Sequence, residues 1–189
     1  AATDHVIGMT DVSFSVKRGE TFVIMGLSGS GKSTAIRTVN KLFDITDGKV
    51  IVDGVDVQSL TGTALQQFRR EKMGMVFQHF ALFPHRSVID NTGYGLKVQG
   101  VEKAARAEAS LNARRLGGLE SFAHNSPREL SGGMQQRVGL ARALAADPDI
   151  LLMDEAFSAL DPLIRRQMQD ETLAIQEHLH KTILFITHD

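Results

Sequence analysis

The chain has 189 residues, 42% hydrophobic and 23% charged, with a formal net charge of −1; this is an ordinary globular composition, long enough for one core or a core with a lobe, and it gives no sign of a polyanion partner. It contains no cysteine, which excludes disulfides, thiol catalysis and cysteine metal sites and is compatible with a reducing cytosol. No apolar stretch approaches the ~20 residues that a bilayer-spanning helix needs, and no signal-peptide pattern stands at Ala1, so a membrane role is expected to come through a partner.

From the N-terminus, residues 11–18 alternate apolar and polar positions, with Phe14 and Val16 on one face, and read as a half-exposed antiparallel strand beside a Gly19-Glu20 turn. The run Thr21-Phe22-Val23-Ile24-Met25 reads as a buried strand. Residues 26–33 then read Gly-Leu-Ser-Gly-Ser-Gly-Lys-Ser, a complete G-x-x-x-x-G-K-[ST] phosphate-binding loop, and residues 32–42 read as a helix with Ile36 and Val39 on one face. Strand, loop and helix in this order form the context in which the pattern binds a nucleoside triphosphate with magnesium. Gly26, Gly29 and Gly31 let the backbone curl so that successive N–H groups form an anion nest, backed by a helix N-terminus. The nucleotide-binding set is therefore Gly26, Leu27, Ser28, Gly29, Ser30, Gly31, Lys32, Ser33 and Thr34. Lys32 supplies charge to the β- and γ-phosphates, and the Ser33 hydroxyl is a ligand for Mg2+.

Residues 49–57 alternate again, with Val50 and Val52 on one face and an Asp53-Gly54 turn signal, and residues 73–77 form another short apolar run whose methionines suit a core. From 78 to 147 helical patterns dominate. Residues 102–116 are rich in Ala, Arg and Glu, and residues 132–146 carry Val138, Ala141 and Leu144 at helical spacing; this predicts a helical lobe that ends at Asp147-Pro148. Ser131 is a natural N-cap followed by Gly132 and Gly133. Taken alone this is a capped helix; alternatively it is a second phosphate-binding end, for a nucleotide held by another subunit. Residues 150–153 read as a buried strand that delivers Asp154 and Glu155 to the sheet edge where the phosphate loop opens. Asp154 is placed to hold Mg2+ through its water shell and Glu155 to polarise an attacking water. A helix over 163–178, with Ile164, Met168, Ile175 and Leu179 on one stripe, and a buried strand over 182–186 complete a pattern of strands separated by helices, which implies a parallel sheet. His178 and His180 suit a solvated helix end rather than a metal site. The pairs Arg69-Arg70, Arg114-Arg115 and Arg165-Arg166 suit solvated faces or local salt bridges rather than a nucleic-acid stripe.

The phosphate loop, the segment Leu130-Ser131-Gly132-Gly133-Met134-Gln135-Gln136-Arg137, the Asp154-Glu155 junction and the terminal Thr187-His188-Asp189 share one order and spacing. In these the chain resembles, over essentially its whole length, the ATP-binding subunits of ABC transporters, and residues 130–137 resemble that family's signature motif. The resemblance implies an α/β fold: a P-loop NTPase (RecA-like) core with a parallel sheet, N-terminal antiparallel β strands and an inserted α-helical signature lobe. It divides the chain into a first part of the nucleotide-binding core (1–77), a helical signature subdomain (78–147) and a second part of the core (148–189), with further family elements expected beyond Asp189.

The resemblance also assigns roles. Gln78 reaches Mg2+ and the attacking water, so Ser33, Gln78 and Asp154 form the metal set. Lys32, Gln78, Glu155 and His188 form the catalytic set, with His188 sensing the γ-phosphate. Ser131, Gly132 and Gly133 meet the nucleotide of the opposite subunit, and residues 158–161, with Asp161, lie at the dimer seam. ATP and Mg2+ are the implied cofactors. The implied partners are a second ATP-binding subunit, an integral-membrane permease docked on residues 78–95 and, indirectly, a periplasmic or surface solute-binding protein; nucleic acid is not among them. The implied location is peripheral, at the cytoplasmic face of the cell membrane.

The chain departs from the family pattern at Met134, where Gln is usual, at Ala156, where Pro is usual, and in having no aromatic residue before Asp11 to stack on adenine. Residues 25–33, 131–142 and 153–165 are similar to the ATPases of glycine betaine/proline importers, for which Ala156-Phe157 in place of Pro-Thr is distinguishing. This implies ATP-driven dimer closure that powers import of a small osmoprotectant, with an importer of another small solute, such as an amino acid, as the nearest alternative. Two rivals are a soluble ABC-type ATPase working on DNA or ribosomes and a non-hydrolysing nucleotide sensor. The first usually carries long coiled-coil insertions or tandem cassettes, which this chain lacks, and the intact Glu155 and His188 argue against the second.

Overall fold

The structure, a computed structural model, describes residues 7–116 and 118–188, apart from the side chains of residues 113, 114 and 116. Ala1, the Arg114 side chain and Asp189 therefore lie outside the described residues. Four parallel strands form the central sheet in the order β1 (Thr21–Met25), β6 (Thr182–Thr187), β5 (Ile150–Asp154), β4 (Met73–Phe77). Alternation along each strand sorts the core into two layers. Val76, Leu151, Met153 and Ile183 face α6 (Gly132–Ala145) and α7 (Pro162–Leu179), where they meet Leu140, Leu144, Met168 and Ile175. Leu152, Leu184 and Ile186 face the other way, onto Ile36 of α1 (Lys32–Val39).

A two-stranded antiparallel ribbon, β2 (Ile51–Val52) and β3 (Val55–Asp56), lies outside that sheet, and α2 (Gly62–Lys72) leads from it into β4. The helical segment consists of α3 (Val88–Thr92), α4 (Tyr94–Val98), α5 (Lys103–Leu116) and α6. Helix α6 is buried on most sides from Gln136 onward. Leu140 and Ala143 enter the sheet core, while Val138 packs with Val88, Leu119 and Leu130, and Ala141 with Leu96. Gly74 makes the close seating of α6 on β4 possible, since a Cβ there would lie 2.9 Å from Pro148 Cγ and 3.1 Å from the Ala143 carbonyl oxygen.

Several expectations are corrected. Residues 11–18 form no strand; without a neighbouring strand among the described residues their alternation has no ladder to join, and the Phe14 ring instead stacks on Phe22 at 5.2 Å. The pattern over 49–57 folds as two short antiparallel strands, with the Asp53-Gly54 turn signal (φ 48° and 79°) as the tight turn between them. Strand β1 is an edge rather than a buried strand: Phe22 and Ile24 pack on the α1 layer, while Val23 and Met25 are exposed. Helix α1 stops at Val39, where Arg69 caps its end by donating to the Asn40 carbonyl at 2.7 Å. On α7, Met168 and Ile175 are buried and Ile164 is half-buried, but Leu179 is exposed.

Candidate functional site

The carboxyl ends of β1, β5 and β6 gather the chemistry. After β1 the chain turns through Gly29 (φ 79°) and Gly31 (φ 87°) into α1. At Gly31 a side chain would also run into the Gly8 carbonyl oxygen, so glycine is required there twice over. Gly26 does not have a positive φ; a Cβ there would lie 3.1 Å from Ser30 Oγ, so its need is close approach rather than curl. Lys32 is 6% exposed and folds back into the loop, donating to the Gly26 and Leu27 carbonyls at 2.7 Å each. Its ammonium also stands 3.8 Å from Glu155 Oε1. The charge is thus held at the mouth of the loop before any anion arrives.

Asp154 closes β5 with its carboxylate 2% exposed. Ser33 Oγ donates to its Oδ1 at 2.7 Å, and Arg37 donates to its Oδ2 from Nε at 3.0 Å and Nη2 at 2.8 Å. Sequence reasoning missed Arg37, one helical turn beyond Ser33 on α1; a basic residue at that spacing from the loop was the available signal. A hydroxyl and a carboxylate oxygen side by side at the strand end are the hard oxygen donors that Mg2+ takes, so these residues fit the ion.

Glu155 sits in the left-handed region (φ 46°). For a non-glycine residue that conformation costs about 1–3 kcal/mol and needs the surroundings to impose it. They do: its N–H donates to the Ile186 carbonyl at 3.1 Å, and its carbonyl accepts from Ser158 N (3.1 Å) and Ser158 Oγ (2.9 Å). The turn aims the carboxylate between Lys32 and His188, whose Nδ1 lies 3.3 Å from Glu155 Oε2. Gln78 follows Phe77, which pairs in register with Asp154, so its backbone lies one strand away from the acids.

The remaining expected site residues stand apart. Ser131 caps α6, its hydroxyl accepting from Met134 N at 3.3 Å. Gly133 has a packing reason of its own: a Cβ there would lie 2.7 Å from Ile164 Cγ2, whereas one at Gly132 would meet only Phe80 at 3.7 Å. Asp161 caps α7, accepting from Leu163 N (3.2 Å) and Ile164 N (3.1 Å). No hydrogen bond or ion pair among the described residues joins Ser131, Gly132, Gly133 or Asp161 to the phosphate loop. Among the described residues no group of three or more His, Cys, Asp or Glu side chains gathers as a metal site, and His178 bonds its own helix, Nδ1 lying 2.7 Å from the Ala174 carbonyl oxygen. Arg165 donates to the Ser158 and Leu160 carbonyls at 3.4 and 3.3 Å, a local backbone contact beside the α7 cap.

The sequence model of the family described as "ABC transporter" matches residues 9–158. Among curated relatives, the glycine betaine transport ATP-binding protein OpuAA of Bacillus subtilis (strain 168) is 57% identical over 188 residues, covering 100% of this chain and 45% of the relative. The glycine betaine/proline betaine transport system ATP-binding protein ProV of Escherichia coli (strain K12) is 56% identical, covering 97% and 46%. The trimethylamine N-oxide transport system ATP-binding protein TmoW of Pelagibacter ubique (strain HTCC1062) is 52% identical, covering 97% and 54%. The chain thus spans about half the length of the curated relatives it matches. A dimeric post-hydrolysis structure of an ATP-binding cassette bound to ADP and Pi superposes with a TM-score of 0.90 at 34% identity, covering 100% of this chain and 84% of that one.

Proposed function

Because the chain belongs to the ABC transporter family, we propose that it is the ATP-hydrolysing part of a subunit that powers import of a small osmoprotectant, of the glycine betaine/proline type, through a membrane permease. One observation carries the enzymatic half of this reading: Lys32, Ser33, Asp154, Glu155 and His188 converge at a single sheet edge through contacts of 2.7–3.8 Å. Lys32 and the loop N–H groups hold the triphosphate, and Ser33 and Asp154, with Gln78, hold Mg2+. When bound, the metal neutralises charge that builds on the transferred phosphoryl group. Glu155 orients the attacking water and takes up its proton, and His188 fixes the carboxylate and meets the γ-phosphate.

Ser131, Gly132, Gly133 and Asp161 act in trans in this reading. Two copies sandwich two ATP molecules, each between one phosphate loop and the other copy's α6 N-terminus. ATP then binds the closed pair better than the open one and shifts the population towards closure. Loss of the γ-phosphate reopens the clamp, and the permease, docked on residues 78–95, converts the cycle into alternating access. Residues 1–77 and 148–189 act as the nucleotide-binding core, and 78–147 as the signature subdomain. The subunit sits at the cytoplasmic face of the membrane as a peripheral partner; among the described residues no helix is long and apolar enough to cross a bilayer. For the solute class, the support is that the relatives named for betaines and trimethylamine N-oxide are 52–57% identical, against 42% for a methionine import ATP-binding protein of Desulfitobacterium hafniense (strain Y51).

The test is uptake of labelled glycine betaine by cells carrying the reading frame with its permease genes, at low and high osmolality, with Lys32→Ala as control. Uptake that rises with osmolality and vanishes in the control is expected. ATP hydrolysis without betaine uptake would overturn the solute class and leave an importer of another small solute.

A further inference from the structure

Between β4 and α3 the chain crosses the face of α6, and it does so under strain. Phe80 (φ 58°) and Ala81 (φ 48°) are consecutive non-glycine residues in the left-handed region. Local hydrogen bonds are short-range only: Phe80 N to the Phe77 carbonyl at 3.3 Å and Ala81 N to the His79 carbonyl at 2.5 Å. Further on, Phe83 is fastened to the fully buried Asn91, which accepts from Phe83 N at 2.8 Å and donates to the Phe83 carbonyl at 3.1 Å. The strained middle is held from α6: Arg142 donates to the Ala81 carbonyl at 2.6 Å and to the Phe80 carbonyl at 3.2 Å.

Arg142 is half-buried and has no carboxylate partner among the described residues. Burial pulls its pKa down from the ordinary arginine value. Two of its N–H groups, one on each terminal nitrogen, go to these two carbonyls, and its planar fork suits two adjacent acceptors where a lysine ammonium does not. Two residues before that clamp lies Gln78, and nothing else on α6 donates to the loop backbone among the described residues.

We infer that Arg142 is a positioning residue for Gln78: by holding the carbonyls of Phe80 and Ala81 it fixes the direction in which the chain leaves β4, and with it the reach of the Gln78 side chain toward the acids at the end of β5. This rests on the reading of Gln78 as a residue of the nucleotide site. It makes the loop's conformation a property of α6, the helix whose N-terminus opens at Ser131.

These 189 residues contain no cysteine, so in this chain His79→Cys adds one labelling site, on an exposed residue beside Gln78. A spin label there is read in the parent and in Arg142→Met and Arg142→Lys, with steady-state ATP kinetics on the same proteins and Gln78→Ala in parallel. Circular dichroism and melting establish which variants fold, and Arg142→Lys carries the test if Arg142→Met does not. The expected result is an immobilised label in the parent, a mobile one in Arg142→Met and a mixture in Arg142→Lys. With it, kcat falls about tenfold to a hundredfold while KM for ATP stays within about twofold, as for a misplaced rather than missing group. An unchanged label spectrum in a folded variant overturns the inference. So does a freed label with parental kcat while Gln78→Ala is impaired. If Gln78→Ala itself turns over at the parental rate, the reading of Gln78 has failed, and this inference falls with it.

Discussion

Gly133→Ala separates packing from ligand binding at the α6 N-terminus. The added Cβ would stand 2.7 Å from Ile164 Cγ2. Ile164 is β-branched and stiff about χ1, so the methyl cannot swing away without moving α7 against α6. Such overpacking costs about 1–3 kcal/mol, offset by up to about 1 kcal/mol of better helix propensity, for a net loss of about 1 kcal/mol. In a chain of this size that is a fall of about 2–4 °C in Tm. Gly132→Ala is the internal control: its Cβ meets Phe80 at 3.7 Å, an ordinary contact, so only the propensity gain remains and the variant should be as stable as the parent or slightly more so. Both are measured by urea unfolding without nucleotide. Ile164→Ala removes the clashing methyl, so in the double variant the two losses should fall short of additivity by about 1 kcal/mol. Equal stability of the two glycine variants, or strict additivity with Ile164→Ala, would refute the packing argument and leave Gly133 with a binding role alone.

Three further outcomes are expected. Gly31→Ala forces a side chain into φ 87° and against the Gly8 carbonyl, and should lower stability by about 1–3 kcal/mol in urea and abolish binding of a fluorescent ATP analogue; an unchanged affinity would contradict the loop geometry. Gln136 is fully buried with both side-chain amide atoms unpartnered among the described residues, so Gln136→Met should stabilise the fold by about 1 kcal/mol or more, and a destabilised variant would reveal a partner such as a trapped water. Asp53 is held below the usual carboxylate range, first by its hydrogen bond with Arg18 and then by Lys72. Its contribution is therefore complete above the unfolded value of about 4 and is lost as pH falls through the lower folded value. Asp53→Asn should remove that part of the acid dependence, an effect under about 1 kcal/mol that shrinks with added salt because the pair is exposed; a salt-independent change would contradict it.

What could be read from the sequence was what local pattern dictates. The phosphate loop, the strand ahead of it and the acids after β5 follow from fixed spacing, and β4 and β5 were legible because apolar runs bounded by breakers leave few alternatives. Helix α2 gave little signal because it buries no residue, and its apolar face is only the half-buried Leu65 and Phe68. The left-handed turn at Glu155 is imposed by Ile186 and Ser158, not by the Asp-Glu pair itself. Arg37 and Arg142 were not singled out in the sequence, since their partners lie 117 and 61–62 residues away along the chain, and only the fold brings them together. Gly133 was read for its backbone donors, while its packing against Ile164 depends on the crossing of two helices that spacing alone does not reveal.

In the proposed function ATP closes two copies of this chain, and Glu155 reopens them by hydrolysis. Glu155→Gln keeps the shape of the site, removes the carboxylate beside Lys32 and His188, and leaves Lys32 bonded to the loop. The most direct measurement is light scattering during size-exclusion chromatography of this variant with ATP and Mg2+, paired with phosphate release. A stable dimer that forms only with ATP, with turnover slowed by two or more orders of magnitude, is expected. A variant that hydrolyses ATP at the parental rate, or that stays monomeric with saturating ATP, would contradict the account.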